Sequence, residues 1–96
     1  MIRLTELECT DGTAVVRIEG NLTADTLLVL GQALEEYQQR GIGAVNLAAD
    51  GVISIDRLAL EAWTEKRPPD PSLCFLTSRV ALHQLLEGCG VKAALQ

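Results

Sequence analysis

The chain has 96 residues, with 8 lysines and arginines against 13 aspartates and glutamates, a formal net charge of −5. That length suits a single domain over residues 1–96, and a chain of this size buries roughly 60–65% of the surface its unfolded form exposes, enough for a core without metal or disulfide staples. Apolar residues at 48% and charged residues at 22% exclude a disordered chain, and the acidic balance argues against a nucleic-acid partner, which demands clustered lysine and arginine.

Only Tyr37, Trp63 and Phe75 are aromatic, so the core is expected to be aliphatic. No apolar run reaches the ~18 residues of a membrane helix, and the start MIRLTELECTDG lacks the apolar segment of a secretory signal. Direct membrane insertion is not expected, and the location expected is cytoplasmic. Cys9, Cys74 and Cys89 are an odd number with no CxxC spacing, which reads as free thiols in a reducing compartment, Cys89 between two glycines being the most exposed.

The first elements are a hairpin. Asp11-Gly12 separates two extended runs, and both residues tolerate the positive φ of a type I′ turn. Before the turn, Ile2, Leu4 and Leu7 are the inward candidates. After it, Ala14, Val16 and Ile18 alternate with Val15, Arg17 and Glu19, the period of a half-buried strand, which Gly20 is expected to end. A helix follows over about 24–40. Thr23 is its N-cap, Asp25 meets the positive end of its dipole, and Leu27, Leu30, Leu34 and Tyr37 form one stripe. Gly41 suits the left-handed position after its end.

Ala44 to Ala48 reads as a central strand covered on both faces, and Asp50-Gly51 as a turn. A second helix then begins, capped by Ser54 or Asp56, with Leu58, Ala59, Ala62 and Trp63 on its buried side. Arg67-Pro68-Pro69-Asp70-Pro71 breaks it. The segment SLCFLTS is a short buried strand. A last helix, capped by Thr77 or Ser78, packs through Val80, Ala81, Leu82, Leu85 and Leu86, and VKAALQ is a tail. The order ββαβαβα predicts an α/β fold with a four-stranded mixed sheet and helices mainly on one face.

No active site assembles from these residues. His83 is the single imidazole, on a helix face, and no His/Cys/carboxylate cluster has metal-ligand spacing. Glu35-Glu36 lie on a wet helix face, and the glycines fit neither GxxxxGK[ST] nor GxGxxG. No catalytic residue, metal or cofactor is expected, and the chain is read as no enzyme.

At IEGNL, at AVNLAADGVISIDRLAL and at LCFLTSRVALHQLLEGCGV, the sequence resembles a STAS domain, the fold of bacterial anti-sigma factor antagonists, over nearly its whole length. The resemblance implies a signalling module in transcription regulation, switched by phosphorylation of a serine or threonine at the start of the second helix. The family motif Asp-Ser-Ser-Gly-Leu stands here as Asp56-Arg57-Leu58-Ala59-Leu60. The aspartate matches, Leu58 occupies the phosphoacceptor position and Arg57 the preceding serine. Two acidic positions common in the family are Thr23 and Ala48 here. The expectation is a binding module without the standard switch, docking a partner through Thr23, Asp50, Ser54, Asp56, Arg57 and Leu58. Arg57 could otherwise pair with Asp50 or Glu61. The partner implied is an anti-sigma factor or a GHKL-type kinase. The alternative is the ATPase of a lipid-transport ABC complex, with the chain as its accessory STAS subunit. The exposed edge of the first strand leaves a homodimer open.

Overall fold

The computed structural model describes residues Met1–Gln96. Its elements run β1 (Ile2–Thr10), β2 (Thr13–Leu22), α1 (Ala24–Gln39), β3 (Ala44–Ile55), α2 (Arg57–Lys66), β4 (Ser72–Thr77), α3 (Val80–Gly88) and β5 (Ala93–Leu95). One mixed sheet holds the strands in the order β1-β2-β3-β4-β5, with β1 antiparallel to β2 and every later pair parallel. Each crossover therefore moves the chain one strand further in the same direction. Crossovers of one hand then lay all three helices on the same face.

The burial pattern follows from that layering. Ala14, Val16 and Ile18 of β2, Val45, Leu47 and Ala49 of β3 and Phe75 of β4 face the helices and are buried. They meet Leu27, Leu30 and Leu34 of α1, Leu60 of α2 and Leu82 and Leu86 of α3 in one core. The alternate residues Val15, Asn46, Ala48, Cys74 and Leu76 are only half-buried and Arg17 is exposed. The central strand β3 is thus covered on one face, not two; Ala44 and Ala48 line the open face, and the flanking strands account for their partial burial.

The β1–β2 turn forms as expected, with φ of 53° at Asp11 and 78° at Gly12. Four other expectations change. Gly20 does not end β2, which continues to Leu22. Its φ is 110°, and a Cβ there would collide with the Met1 carbonyl oxygen, so glycine lets the first residue lie against β2. Leu7 falls at a register shift between Glu6↔Val16 and Glu8↔Val15, and is 47% exposed rather than inward. The tail contains β5, which pairs Ala93 with Phe75, so the sheet has five strands rather than four. Two alanines and a leucine carry too little alternation to mark a strand; the open edge of β4 recruits them. Cys89 is buried, not exposed, because α3 ends by turning it into the core, while Cys9 and Cys74 are half-buried and all three are free.

Candidate protein-docking surface

Parallel pairing sets the site. Asn21↔Ser54 and Leu22↔Ile55 hold the ends of β2 and β3 side by side, and the Asp56 amide donates to the Leu22 carbonyl at 2.8 Å. The chain leaves both strands directly into helices, so the N-caps of α1 and α2, Thr23 and Asp56, become neighbours. Thr23 accepts from the Thr26 amide at 3.3 Å, and its own amide donates to Thr26 Oγ1 at 2.8 Å. Asp56 accepts from the Ala59 amide at 3.1 Å, and so it, rather than Ser54, is the cap. The Ser54 hydroxyl instead donates to Asn21 Oδ1 at 2.6 Å and ties the two strand ends together.

Asp50-Gly51 is not a turn but the middle of β3. The pairs Arg17↔Ala48 and Glu19↔Gly51 leave Ala49 and Asp50 opposite Ile18 alone, a bulge in β3. Gly and Asp mark bulges as well as turns, which is why the local signal misleads. The bulge aims the Asp50 carboxylate at the β4–α3 connection. It accepts from the Thr77 hydroxyl at 2.5 Å, the Ser78 amide at 2.9 Å and the Ser78 hydroxyl at 2.8 Å. These bonds, led by Thr77, hold the Asp50 pKa below its ordinary value, with the nearby Arg79 adding to the effect. The N-cap of α3 is Arg79, without a side-chain cap bond of its own, rather than Thr77 or Ser78. Thr77 still serves the helix start by accepting from the Arg79 amide at 3.0 Å, and the Arg79 guanidinium donates to the Val52 carbonyl at 2.9 Å.

A second bulge follows at once. Gly20 pairs with Val52 and Asn21 with Ser54, which leaves Ile53 without a partner residue and 76% exposed. It borders a shallow groove whose other wall is Ala81, Leu82 and Leu85 of α3. On α2 the buried residue is Leu60; Leu58 is 79% exposed and Ala62 also faces solvent, so the helix is rotated from the phase expected. Val80 and Ala81, expected on the packing side of α3, are exposed as well. Arg57 forms no ion pair with Asp50 or Glu61, since the ion pairs of the chain are Arg40–Glu6 and His83–Glu87. Its guanidinium lies instead beside Gly88 at the end of α3, 3.4 Å from where a Cβ would be.

The six residues named from the sequence therefore gather at one end of the sheet, but not in one role, and Arg57 reaches away toward Gly88. Thr23, Asp50, Ser54 and Asp56 spend their polar atoms on the frame. Leu58 stands free, as do Ile53, Val80 and Leu28, which sequence reading missed as surface residues; Val80 is 57% and Leu28 65% exposed. The unpaired isoleucine of a double bulge leaves no signature in the sequence.

No protein-family model matches the sequence, and no curated protein does. Among solved structures, the chain is similar to an anti-sigma factor antagonist from Mycobacterium paratuberculosis, with a TM-score of 0.65 and 20% identity, over 94% of this chain and 79% of that one. The chain thus has the STAS-type α/β fold expected from its sequence. No helix is long and apolar enough to cross a membrane.

Proposed function

We propose that the chain is a non-enzymatic regulatory module that docks a protein partner through the surface where its three helices begin. One observation carries this reading: Leu28, Ile53, Leu58 and Val80, four large apolar side chains each more than half exposed, stand at that end of the sheet around polar residues already satisfied internally. Exposed apolar groups on a rigid frame mark interaction surfaces. The likeness to an anti-sigma factor antagonist supports a partner of the anti-sigma factor or GHKL-kinase class in the cytoplasm. Signalling then proceeds without covalent modification at position 58, because leucine has no hydroxyl to phosphorylate, and the Ser54 hydroxyl is bound to Asn21.

The test is calorimetric titration of a purified GHKL-type anti-sigma factor from the same source into the wild type and into Leu58→Asp. Binding by the wild type that weakens at least about tenfold in the variant supports the reading, as loss of an interface anchor does. Equal binding by both sinks it. Co-purification with an ABC ATPase and its permease, in place of the anti-sigma factor, supports the accessory-subunit alternative. Stoichiometric phosphate on Ser54 after incubation with a serine kinase overturns the absence of a switch.

A further inference from the structure

At the opposite end of the sheet, two clefts share one wall, made of Trp63 and Arg67 at the end of α2. On the α1 side lies a cleft of about 200 Å³, whose lining includes Glu35, Gln38 and Asp70. On the other side lies a cleft of about 240 Å³ against β4 and the α3–β5 connection, whose lining includes Thr64, Ser72, Leu73, Val91 and Lys92. The two differ in charge. The first holds two carboxylates with one cation, and the second holds two cations, Arg67 and Lys92, with no carboxylate, in a chain whose net charge is −5.

Arg67 is under-partnered for its surroundings. It is half-buried and lies over the Trp63 ring with its guanidinium carbon 5.5 Å from the ring centroid. Nη2 donates to the Pro71 carbonyl at 2.6 Å, and no carboxylate forms an ion pair with it. A guanidinium has five N–H donors, and most of these remain to be used. Burial works against its charge, opposed by Asp70. Thr64 Oγ1 is the one buried side-chain polar atom of the chain without a hydrogen-bond partner. Its methyl group faces Gly90 across the second cleft, 4.0 Å from where a Cβ would stand. Rotation about χ1 carries the hydroxyl to where the methyl now stands, and threonine on a helix uses more than one rotamer.

We propose that the second cleft binds a small organic oxyanion, its carboxylate or phosphate held by Arg67 and Lys92 and its apolar body resting on Trp63, Leu73 and Val91. Guanidinium and ammonium donors bind such groups through charge-assisted hydrogen bonds. The volume lies below the usual range for drug-sized ligands, so the occupant is small. The site lies at the far ends of α2 and α3, and of the six docking residues Arg57 alone reaches toward it, beside Gly88.

Trp63 is the only tryptophan, so its emission reports on the cleft directly. The full chain is titrated with inorganic phosphate and, separately, with benzoate, at ionic strength held constant with chloride. Saturable change with at least one of them is the expected result, and which one responds identifies a phosphoryl or a carboxylate ligand. Lys92 is exposed, and Lys92→Gln is expected to weaken that binding about three- to tenfold, the effect of losing one charge-assisted contact. Thr64→Val is expected to weaken it less, and Glu35→Gln to leave it unchanged. Flat emission with both anions overturns the proposal. So does unaltered affinity in Lys92→Gln, or a tightening in Glu35→Gln, which would put the anion on the α1 side.

Discussion

The two ends of the parallel strands are built by the same helices and differ in what they leave in solvent. Where the helices begin, backbone N–H groups need acceptors, and the hydroxyls and carboxylates of that end are spent on them or on each other: Thr23, Asp56, Asp50, Thr77 and Ser78 all cap or brace a helix start. Among what remains outside are the apolar Leu28, Ile53, Leu58 and Val80, beside the charged Asp25 and Arg57. At the end of α2 the partial negative charge of the carbonyls favours cations, and that helix closes on Lys66 and Arg67, whereas α1 and α3 carry no basic residue in their last turns. Apolar residues there are drawn inward, as Val91 is, and cations stay at the rim of a concave surface. The helix starts thus leave apolar side chains in solvent, and the end of α2 leaves cations at a concave rim.

The largest test of this contrast removes the residue that serves both ends. Leu60 is fully buried in α2, whose start supports the docking surface and whose end supports the cationic cleft. Leu60→Ala is expected to cost about 2–5 kcal/mol in chemical denaturation, with both ends losing function together. If only one end suffers, the helix does not couple them. Next in size, Ile53→Asp is expected to weaken partner binding by at least about tenfold while changing stability by less than about 0.5 kcal/mol, since the side chain is already in water. A large stability loss would show that Ile53 is part of the frame.

Asp50→Asn tests the bracing of the docking end through pH. The carboxylate titrates below its ordinary value of 3.8 in the folded chain, so its contribution is complete above that value and is lost as pH falls through the lower folded value. Thermal melting is expected to show the variant a few degrees below the wild type at neutral pH, the two curves converging in acid. Parallel curves across that range would remove Asp50 from the frame. The smallest effect lies at the end of α1, outside both the docking surface and the cationic cleft. Tyr37 donates to Glu6 at 2.7 Å, and burial together with that bond raises its pKa from 10.0 to about 12. Ultraviolet titration of this single tyrosine should place its midpoint near that value, and Glu6→Gln should lower it. Because the folded value is the higher one, the contribution holds below pH 10.0 and fades as pH climbs toward about 12.

Much of the architecture was legible because it rests on local chemistry. Asp11-Gly12 turns between two extended runs, Thr23 caps a helix whose Leu27, Leu30 and Leu34 fall on one stripe, and the alternation of Ala14, Val16 and Ile18 states which face of β2 is inside. Leu58, expected on the buried side of α2, stands in solvent, while at the helix starts the caps Thr23 and Asp56 were legible by position. Ile53 and Val80 were not.

What tertiary structure alone decided has one physical root: a residue's surroundings depend on strands distant in sequence. In α2 the run Leu58, Ala59, Leu60, Ala62 and Trp63 is apolar on several sides, so no periodicity selects a face, and only packing under the sheet buries Leu60 and expels Leu58. In β3, Asp50-Gly51 carries the chemistry of a turn, yet pairing with β2 on one side carries the strand through it to Ile55 as a double bulge. Likewise Ala93, Ala94 and Leu95 become a strand only because β4 offers them an edge. Sequence determined the composition of the layers and the caps; the meeting of β2, β3 and β4 determined which apolar side chains were left in solvent.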